Sequence, residues 1–452
     1  MKKFIENLTN IWKIEELKNR IILTLGILLV YRFGAHIVLP GIDSAQLHEL
    51  ATKTSGGGLL DILNAFTGGA FSNASVFALG IMPYISASIV VQLMGIAIPY
   101  LQKLQKEGES GRRKINQITR WLTIAICIVQ APVYLYGINR LGVPDSAFLL
   151  GKGLNFIVPA VLILVTGTIF AMWLGEKITD KGIGNGISLL IMVGIIARLP
   201  RAFLSETASR LTGNGGPLLI LIEIILWFVI ILLCIYLIKA VRQIPVQYAR
   251  RTAEGGTANE RNIFGARQYI PLKLNAAGVM PIIFAQALMF IPLALVKYQS
   301  ENASYVVQSL MDNRSLLYNI IYVTLIIAFT YFYTAITLNP TQMAEDMKRN
   351  NGFIPGIKPG KDTADYIDTV MSRLTLPGSL FIAFIAVMPA LAGLLNVQQG
   401  FSQFFGGTSL LILVGVVIDT LQQIESYLMM RHYDGLLNSG HTRNAAGVPS
   451  AY

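Results

Sequence analysis

The residues that could carry chemistry in this 452-residue chain are few and widely separated. Within its apolar stretches the ionisable side chains are Arg32, Glu223, Asp419 and Glu425. Ionisable residues inside a membrane usually mark ion paths or proton relays, but these four are too sparse to form a carboxylate relay. The sequence contains no H-E-x-x-H, no G-x-S-x-G and no phosphate-binding G-x-x-x-x-G-K-(S/T) motif. We therefore predict that the protein is not an enzyme and uses no metal or cofactor.

Uncharged polar side chains in the same apolar stretches form a second set: Ser86, Gln92, Gln130, Asn275 and Gln286. Such groups can form hydrogen bonds between membrane helices that contribute roughly 0.6 to 2 kcal/mol each. Bonds of this strength are compatible with ordinary helix packing. They are also weak enough for a seam between helices to open, as a gate requires.

The composition places these residues on membrane helices. The chain is 53% hydrophobic and only 13% charged, whereas soluble domains have about 25% charged residues. A membrane-spanning helix needs about 20 mainly apolar residues. We predict an all-α integral membrane protein with ten spans: 21–39, 76–98, 118–138, 154–174, 183–199, 217–238, 275–296, 317–338, 374–395 and 407–430.

The basic residues predict the orientation of these spans. Lys and Arg are more than threefold commoner in the N-terminus and the segments after even-numbered spans than in the other segments. Because basic segments remain in the cytosol, both termini are predicted to be cytosolic.

A short internal repeat suggests how the spans are arranged. Gly80–Ile85 reads GIMPYI in the second span, and Gly278–Ile283 reads GVMPII in the seventh. An offset of five spans reverses the orientation, which predicts two five-span halves related by a pseudo-two-fold axis in the membrane plane. The predicted divisions are an amphipathic segment 1–20, a first half 21–199, an outer connecting loop 200–216, a second half 217–430 and a cytosolic tail 431–452.

One apolar segment between the first two spans is too short to cross a bilayer. Gly56–Gly69 reads GGGLLDILNAFTGG, and glycines flank its apolar residues Leu59, Leu60, Ile62, Leu63 and Phe66. It suits a short helix on the outer side. That helix is either an interfacial loop helix or a movable element packed against the mouth of a cavity.

Two long loops on the predicted cytosolic side are expected to have a role beyond setting the orientation of the spans. Residues 239–273 have arms rich in β-branched, aromatic and basic residues around a polar centre, which predicts a hairpin. Residues 339–371 contain NGFIPGIKPG, a tip with turn-forming Pro and Gly. Both loops are predicted to be docking surfaces for a large partner.

Five motifs together resemble the SecY family of protein-conducting channels. They occur in the family's order and spread over most of the chain: Phe77–Leu93, Gly175–Ile191, Pro271–Ala285, Gly352–Gly360 and Gly406–Ile412. The resemblance implies ten helices in two halves arranged as a clamshell around an hourglass pore.

The resemblance also implies a ring of aliphatic side chains at the waist of the pore. The matching residues are Ile81, Ile85, Ile187, Ile191, Val279, Ile283 and Ile412. Branched aliphatic groups offer no hydrogen bonds to a sliding chain, and a narrow apolar constriction resists ions by dewetting.

Further roles follow from the same resemblance. Gly56–Gly69 corresponds to a plug that seals the outer funnel, and spans two, three, seven and eight form a lateral gate. The gate helices carry Ser86, Gln92, Gln130 and Asn275, and the residues implied in partner docking are Arg250, Arg251 and Lys358. The family usually has Arg where this chain has Lys358, and the two are not interchangeable at bidentate contacts.

The implied function is movement of unfolded polypeptides across the bacterial plasma (inner) membrane and release of transmembrane segments into lipid. The implied partners are SecE and SecG, the SecA motor, the ribosome, signal sequences and nascent polypeptides, and membrane lipid, without nucleic-acid sequence recognition. An inverted-repeat secondary transporter is the alternative, which ion-coupled solute uptake would favour. A structural scaffold is a second alternative, which predicts no conductance.

Overall fold

A computed structural model of the chain describes residues 12, 14–42, 67–71, 73–140, 153–212, 216–248, 268–296, 315–395 and 397–444. The helices among them are α1 Glu15–Gly34, α2 Met82–Ala97, α3 Pro99–Lys106, α4 Glu109–Arg140, α5 Leu154–Lys181, α6 Gly186–Leu211, α7 Gly216–Lys239, α8 Met280–Val296, α9 Leu316–Thr337, α10 Pro340–Arg349, α11 Lys361–Leu394, α12 Gln399–Ser402 and α13 Gly407–Asn444. The strands are β1 Val241–Tyr248, β2 Gln268–Lys273 and β3 Gly352–Phe353.

Each predicted span overlaps one long helix: α1, α2, α4, α5, α6, α7, α8, α9, α11 or α13. Within the described ranges, seven helical stretches are long and apolar enough to cross a membrane. The number rises to eight if α2 and α3, which are bent by 103° at their junction, count as one broken span. The all-helical membrane fold therefore agrees with the sequence, while the full count of ten spans stays a prediction.

The two copies of the repeated motif have the same local structure. Gly80 and Gly278 have φ angles of +54° and +64°, and in each copy the helix begins two residues later, at Met82 or Met280. Glycine reaches this left-handed region without the steric cost that a Cβ imposes. Proline follows as the second helical residue in both copies, where its missing N–H leaves no helical hydrogen bond unmade.

The chain divides into two compact units, Met1–Arg201 with Val416–Tyr452 and Ala202–Gly415. The first therefore includes the final part of α13, which the predicted division assigned to the second half. Contacts of α13 with the first unit explain this grouping. Gln423 accepts a hydrogen bond from the Gly184 backbone N–H at 2.8 Å, and the Arg20 guanidinium lies 5.1 Å from the ring centroid of Tyr427.

The predicted outer loop 200–216 is wrong for its first part, because α6 continues to Leu211. A buried ion cluster stabilises this extension beyond the apolar stretch. Arg210 donates to Glu206 at 2.9 Å and to Glu223 of α7 at 2.6 Å, which lets charged residues continue the helix without facing water. The predicted tail from residue 431 likewise begins as helix, since α13 extends to Asn444.

In the turn between α5 and α6 the two backbones pack so closely that position 186 has no room for a side chain. A methyl group at Gly186 would overlap the Gly175 carbonyl oxygen. The Ile183 N–H donates to the Thr24 hydroxyl of α1 at 3.1 Å, and the Thr24 hydroxyl donates to the Arg20 carbonyl at 2.8 Å. These contacts fix the start of α6 against α1 and α5.

Candidate functional site

The first two predicted ring residues lie at the start of α2. Ile81 is the N-cap residue and is 4% exposed, and Ile85 is half-buried one turn later. The Ile85 N–H donates to the Ile81 carbonyl at 3.0 Å, which joins both residues to the same first turn. The left-handed Gly80 directs the chain into this turn, so the repeated motif determines where both side chains are placed.

The next two ring residues lie on α6, again one helical turn apart. Ile191 is 7% exposed and Ile187 is half-buried. A Cβ at Gly175 of α5 would be 2.9 Å from Cγ1 of Ile187, so Ile187 packs directly on the α5 backbone. Residues i and i+4 share one face of a helix, which is the arrangement that a continuous apolar wall requires.

The remaining ring residues belong to the second unit. Val279 and Ile283 lie at the start of α8, and Ile412 lies on α13 with 4% exposure. A Cβ at Gly415 would be 3.9 Å from Cγ2 of Val279, so α13 runs beside the start of α8. Within this unit, the structure therefore brings the predicted ring segments of α8 and α13 together.

The predicted plug residues Leu59, Leu60, Ile62, Leu63 and Phe66 lie outside the described residues. The described residues begin again at Thr67, near the end of the predicted plug Gly56–Gly69. Thr67 is 2% exposed there, and the Gly68 carbonyl accepts a hydrogen bond from Nη1 of Arg32 at 2.9 Å. Sequence reasoning noted Arg32 as an intramembrane charge but did not find this contact, because nothing local signals a partner 36 residues away.

The predicted gate residues occupy both units. In the first unit Ser86 and Gln92 lie on α2 and Gln130 lies on α4, and these two helices pack against each other. In the second unit Asn275 lies in the turn before α8, and its side-chain oxygen is buried without a hydrogen-bond partner in the described structure. A buried amide oxygen without a partner is energetically unfavourable.

The two long loops that are predicted to be cytosolic build one small sheet, which the sequence did not reveal. The strands β1 and β2 pair antiparallel, for example Ile244 with Ile270, which confirms the arms of the predicted hairpin. The strand β3 from the other loop pairs with the opposite edge of β1, joining Gln247 to Phe353. β3 pairs only with Gln247 and Tyr248 of β1. Pro245 lies outside this pairing, so its lack of an N–H does not cost a hydrogen bond between β1 and β3.

A shared apolar core holds the two loops together. Its buried side chains come from both loops and from the first turns of α11: Ile244, Val246, Leu272, Met347, Ile354, Ile367 and Met371. Lys358 is exposed beside this core, and its carbonyl accepts a hydrogen bond from the Thr363 hydroxyl at 2.8 Å. Arg250 and Arg251 lie outside the described residues.

Comparison with known proteins decides the family. The SecY family model matches residues 75–421, which include the two repeated motifs and all seven predicted ring residues. The chain belongs to the SecY family. The SecY relatives include the protein translocase subunit of Aquifex aeolicus, which is 41% identical over 430 residues that cover 95% of this chain and 98% of the relative. The corresponding subunit of Haemophilus influenzae is 40% identical, covering 95% of each chain.

Solved structures agree with SecY membership at the level of the fold. A structure described as "The structure of a protein conducting channel" has a TM-score of 0.60 and 18% identity, covering 90% of this chain and 91% of that chain. A structure of Sec61 in a canine ribosome-channel complex has a TM-score of 0.58 over the same share of each chain. The similarity of fold thus extends over 90% of the chain.

Proposed function

We propose that this chain is the channel subunit of the general secretion translocase. It conducts unfolded polypeptides across the bacterial plasma membrane and releases transmembrane segments sideways into lipid. The observation that carries the proposal is the full-length similarity to protein translocase subunits at about 41% identity, together with the fold of a protein-conducting channel.

The seven aliphatic ring residues form the constriction of the proposed pore. Four of them lie in the first unit and three in the second. Their positions at the start of α2, α6, α8 and α13 support this role, because each is fixed by glycine-dependent backbone packing or by a helix start. The side chains carry no hydrogen-bonding groups, so a translocating chain can slide past them without being bound.

The lateral gate is assigned by the family resemblance to α2, α4, α8 and α9. Its polar residues are Ser86, Gln92, Gln130 and Asn275. The segment Gly56–Gly69, with Leu59, Leu60, Ile62, Leu63 and Phe66, is the plug. This part of the proposal rests on sequence position and on a related structure described as one whose plug domain stabilises the closed state.

The protein itself is not an enzyme, and its partners supply the driving energy. The sheet-forming loops dock the SecA motor or the ribosome through Arg250, Arg251 and Lys358, while SecE and SecG complete the channel. The ribosome-bound state of the related Sec61 structure supports a cytosolic docking surface. Both termini of this multi-pass protein face the cytosol, because the basic residues concentrate on that side.

Site-specific cross-linking tests the pore. A photoreactive residue is placed at Ile191, and a secretory chain is stalled halfway across the membrane with SecA and ATP. We expect a cross-link to the stalled chain that disappears without SecA. Ile196 is the matched control, since it lies on the same helix but is 41% exposed on a different face. Efficient translocation without a cross-link at Ile191 would mean that the ring residues are ordinary packing.

A second experiment tests the apolar constriction. Replacing Ile85 and Ile283 with Asn places polar amides in the ring, so the pore should wet more easily. We expect higher ion leak and weaker discrimination between signal sequences in reconstituted vesicles. Unchanged leak and discrimination would count against these two positions as ring residues.

A further inference from the structure

A groove in the first unit has no part in the channel function proposed above. It lies between α1 and α5 and has a volume of about 470 Å³, which is within the range of ligand-binding clefts. Its walls include Val30 and Phe33 of α1 and Leu162, Thr166 and Phe170 of α5. The lining side chains are apolar except that of Thr166, whose hydroxyl donates to the Leu162 carbonyl at 2.8 Å. The groove therefore suits a hydrocarbon chain better than a polar ligand.

Two glycines let a third segment form the floor of this groove. A methyl group at Gly34 of α1 would overlap the Phe77 ring, and one at Gly167 of α5 would overlap the Val76 carbonyl oxygen. Val76 and Phe77 also line the groove, so they pack directly on both helix backbones. Because close-packed protein interiors deform little, a floor fixed by these contacts keeps the groove open.

The groove opens to the surroundings of the two helices. Phe33 is 71% exposed at one rim, and Leu162 is 62% exposed at the other. Both residues lie within predicted spans, and the α5 stretch Asn155–Lys181 is apolar enough to cross a membrane. The medium around a spanning helix is the hydrocarbon of the lipid tails. An acyl chain can therefore enter the groove from the side.

A line of stacked rings leads from the groove to a positive charge near the end of α5. The ring centroids of Phe77 and Phe170 are 6.1 Å apart, and those of Phe170 and Trp173 are 5.8 Å apart. The Lys177 ammonium lies 5.7 Å from the Trp173 ring centroid. Because Phe170, Trp173 and Lys177 are three and four residues apart, they share one face of the helix. This face joins the apolar groove to a cation.

The charge of Lys177 is available to a ligand from outside the protein. The neighbouring carboxylate of Glu176 is paired with Arg120 at 2.6 Å. Among the described residues, no carboxylate lies within 4 Å of the Lys177 ammonium. Trp173 beside it is 49% exposed, and exposed tryptophans are enriched at the level of the lipid headgroups. Lys177 is therefore placed to attract a lipid phosphate.

The spacing along α5 matches the depth of one lipid leaflet. A helix rises 1.5 Å per residue, so Phe170 lies about 10 Å and Leu162 about 22 Å from Lys177 along the helix axis. The hydrocarbon of one leaflet is about 15 Å thick, which is half of the bilayer core. A lipid whose phosphate lies beside Lys177 thus has the ends of its acyl chains at the level of the groove.

We propose that this groove binds one anionic phospholipid, with an acyl chain between α1 and α5 and the phosphate at Lys177. Trp173 contacts the region where the headgroup and the chains join. None of the lining residues is a predicted ring or gate residue. The inference requires only that α1 and α5 lie in a membrane, so it goes beyond the channel function and does not depend on it.

Quenching of Trp173 fluorescence by brominated lipids measures this binding. The chain has four tryptophans, so Trp12, Trp121 and Trp227 are replaced by phenylalanine. The complete channel complex, with partner subunits that lack tryptophan, is reconstituted in phosphatidylcholine vesicles. Brominated phosphatidylglycerol and brominated phosphatidylcholine are then compared as quenchers. A lysine near the membrane surface favours an anionic lipid about fivefold, and we expect that preference at Trp173.

Substitution of the lysine tests the headgroup contact. Lys177→Gln should reduce the preference for phosphatidylglycerol from about fivefold to about one. Lys239→Gln is the matched control, because Lys239 is an exposed lysine at the end of another apolar helix, α7, and lies outside the groove. Equal quenching by both lipids with Lys177 present overturns the proposal. So does a preference that survives in Lys177→Gln.

A larger side chain in the groove tests the position of the acyl chain. Val30→Phe fills part of the groove, so lipids with bromine in the middle of the chain should lose quenching of Trp173. Leu29→Phe is the control, because Leu29 is 69% exposed on the same helix and does not line the groove. If these lipids do not quench Trp173 in the complete complex, a partner helix covers the groove and the lipid site is refuted.

Native mass spectrometry is the second measurement, for the case that the triple tryptophan variant does not fold. Trp227 donates a hydrogen bond to the Phe404 carbonyl at 2.9 Å that phenylalanine cannot make. With all four tryptophans present, the complex should retain one phosphatidylglycerol more than Lys177→Gln, and thermal denaturation checks that both are folded. Equal numbers of retained lipids contradict the site. Neither measurement involves translocation, so a negative result leaves the channel function untouched.

Discussion

Arg210 donates a hydrogen bond to Glu223 across 2.6 Å, and their side chains are only 4% and 10% exposed. Glu206 completes the cluster, since one of its carboxylate oxygens accepts from Arg210 and the other accepts from the Gln398 N–H at 2.8 Å. The cluster therefore joins α6, α7 and the segment after α11 within the second unit. The sequence showed Glu223 as an isolated intramembrane charge, whereas the structure shows it neutralised.

Removal of the arginine should destabilise the second unit. Arg210→Met leaves two buried carboxylates without their partner, and breaking a buried ion pair from one side costs about 3–5 kcal/mol. We expect a clearly lower denaturation temperature in detergent. Arg349→Met is the control, because its pair with Glu345 is exposed at 4.0 Å and should contribute little. Equal effects of the two substitutions would contradict a stabilising cluster.

The repeated motif predicts two different responses to the same substitution. Gly80→Ala and Gly278→Ala both force alanine into a left-handed conformation, which costs roughly 1–2 kcal/mol. At Gly80 the new methyl group also meets Thr67 at 3.1 Å, whereas nothing lies within 4 Å at Gly278. Gly80→Ala should therefore lower the denaturation temperature more. A larger loss for Gly278→Ala would refute this packing difference.

The small sheet formed by β1, β2 and β3 should respond to a charge in its core. Val246 is fully buried between the two loops, so Val246→Asp places an unpaired carboxylate in an apolar core and should unfold the sheet. We expect at least about a tenfold loss of affinity for SecA or ribosomes, measured by binding to vesicles. Gln243→Asp, at an exposed position of the same strand, should retain binding. Retained binding in Val246→Asp would separate the sheet from partner docking.

The hydroxyl of Thr24 should stabilise the turn before α6. Thr24→Val removes the acceptor for the buried Ile183 N–H and should cost about 1–3 kcal/mol. Thr24→Ser restores the hydroxyl and should recover most of that loss. Thermal denaturation of both variants provides the measurement, and indistinguishable valine and serine variants would exclude a role for this bond.

The sequence was sufficient where the information is local. Hydropathy placed every predicted span on a helix. The two copies of the GxMPxI repeat also have the same local structure, although the two inverted halves that the repeat predicts stay a prediction. The predicted helix ends were less accurate, because hydropathy detects only the apolar part of a helix and misses its polar turns. The first turns of α11 are polar on one side, yet Ile367 and Met371 extend the helix into the core of the sheet.

Long-range pairings could not be predicted from one sequence. The bond between Arg32 and Gly68 and the pairing of Gln247 with Phe353 each join segments that are distant along the chain. Neither has a local signature, since an arginine in a helix and a short Gly-Phe segment are compatible with many partners. The extension of α6 was missed for the same reason, because the neutralising contact of Arg210 comes from another helix.

The small sheet has a mechanical consequence. Ala240 alone separates α7 from β1, and its carbonyl accepts a hydrogen bond from the Leu274 N–H at 2.9 Å, where the chain leaves β2 towards α8. The core of the sheet also includes the first turns of α11. The sheet is therefore joined to α7 through a single residue and to α11 through a shared apolar core. A force applied to the sheet acts directly on these two helices of the second unit.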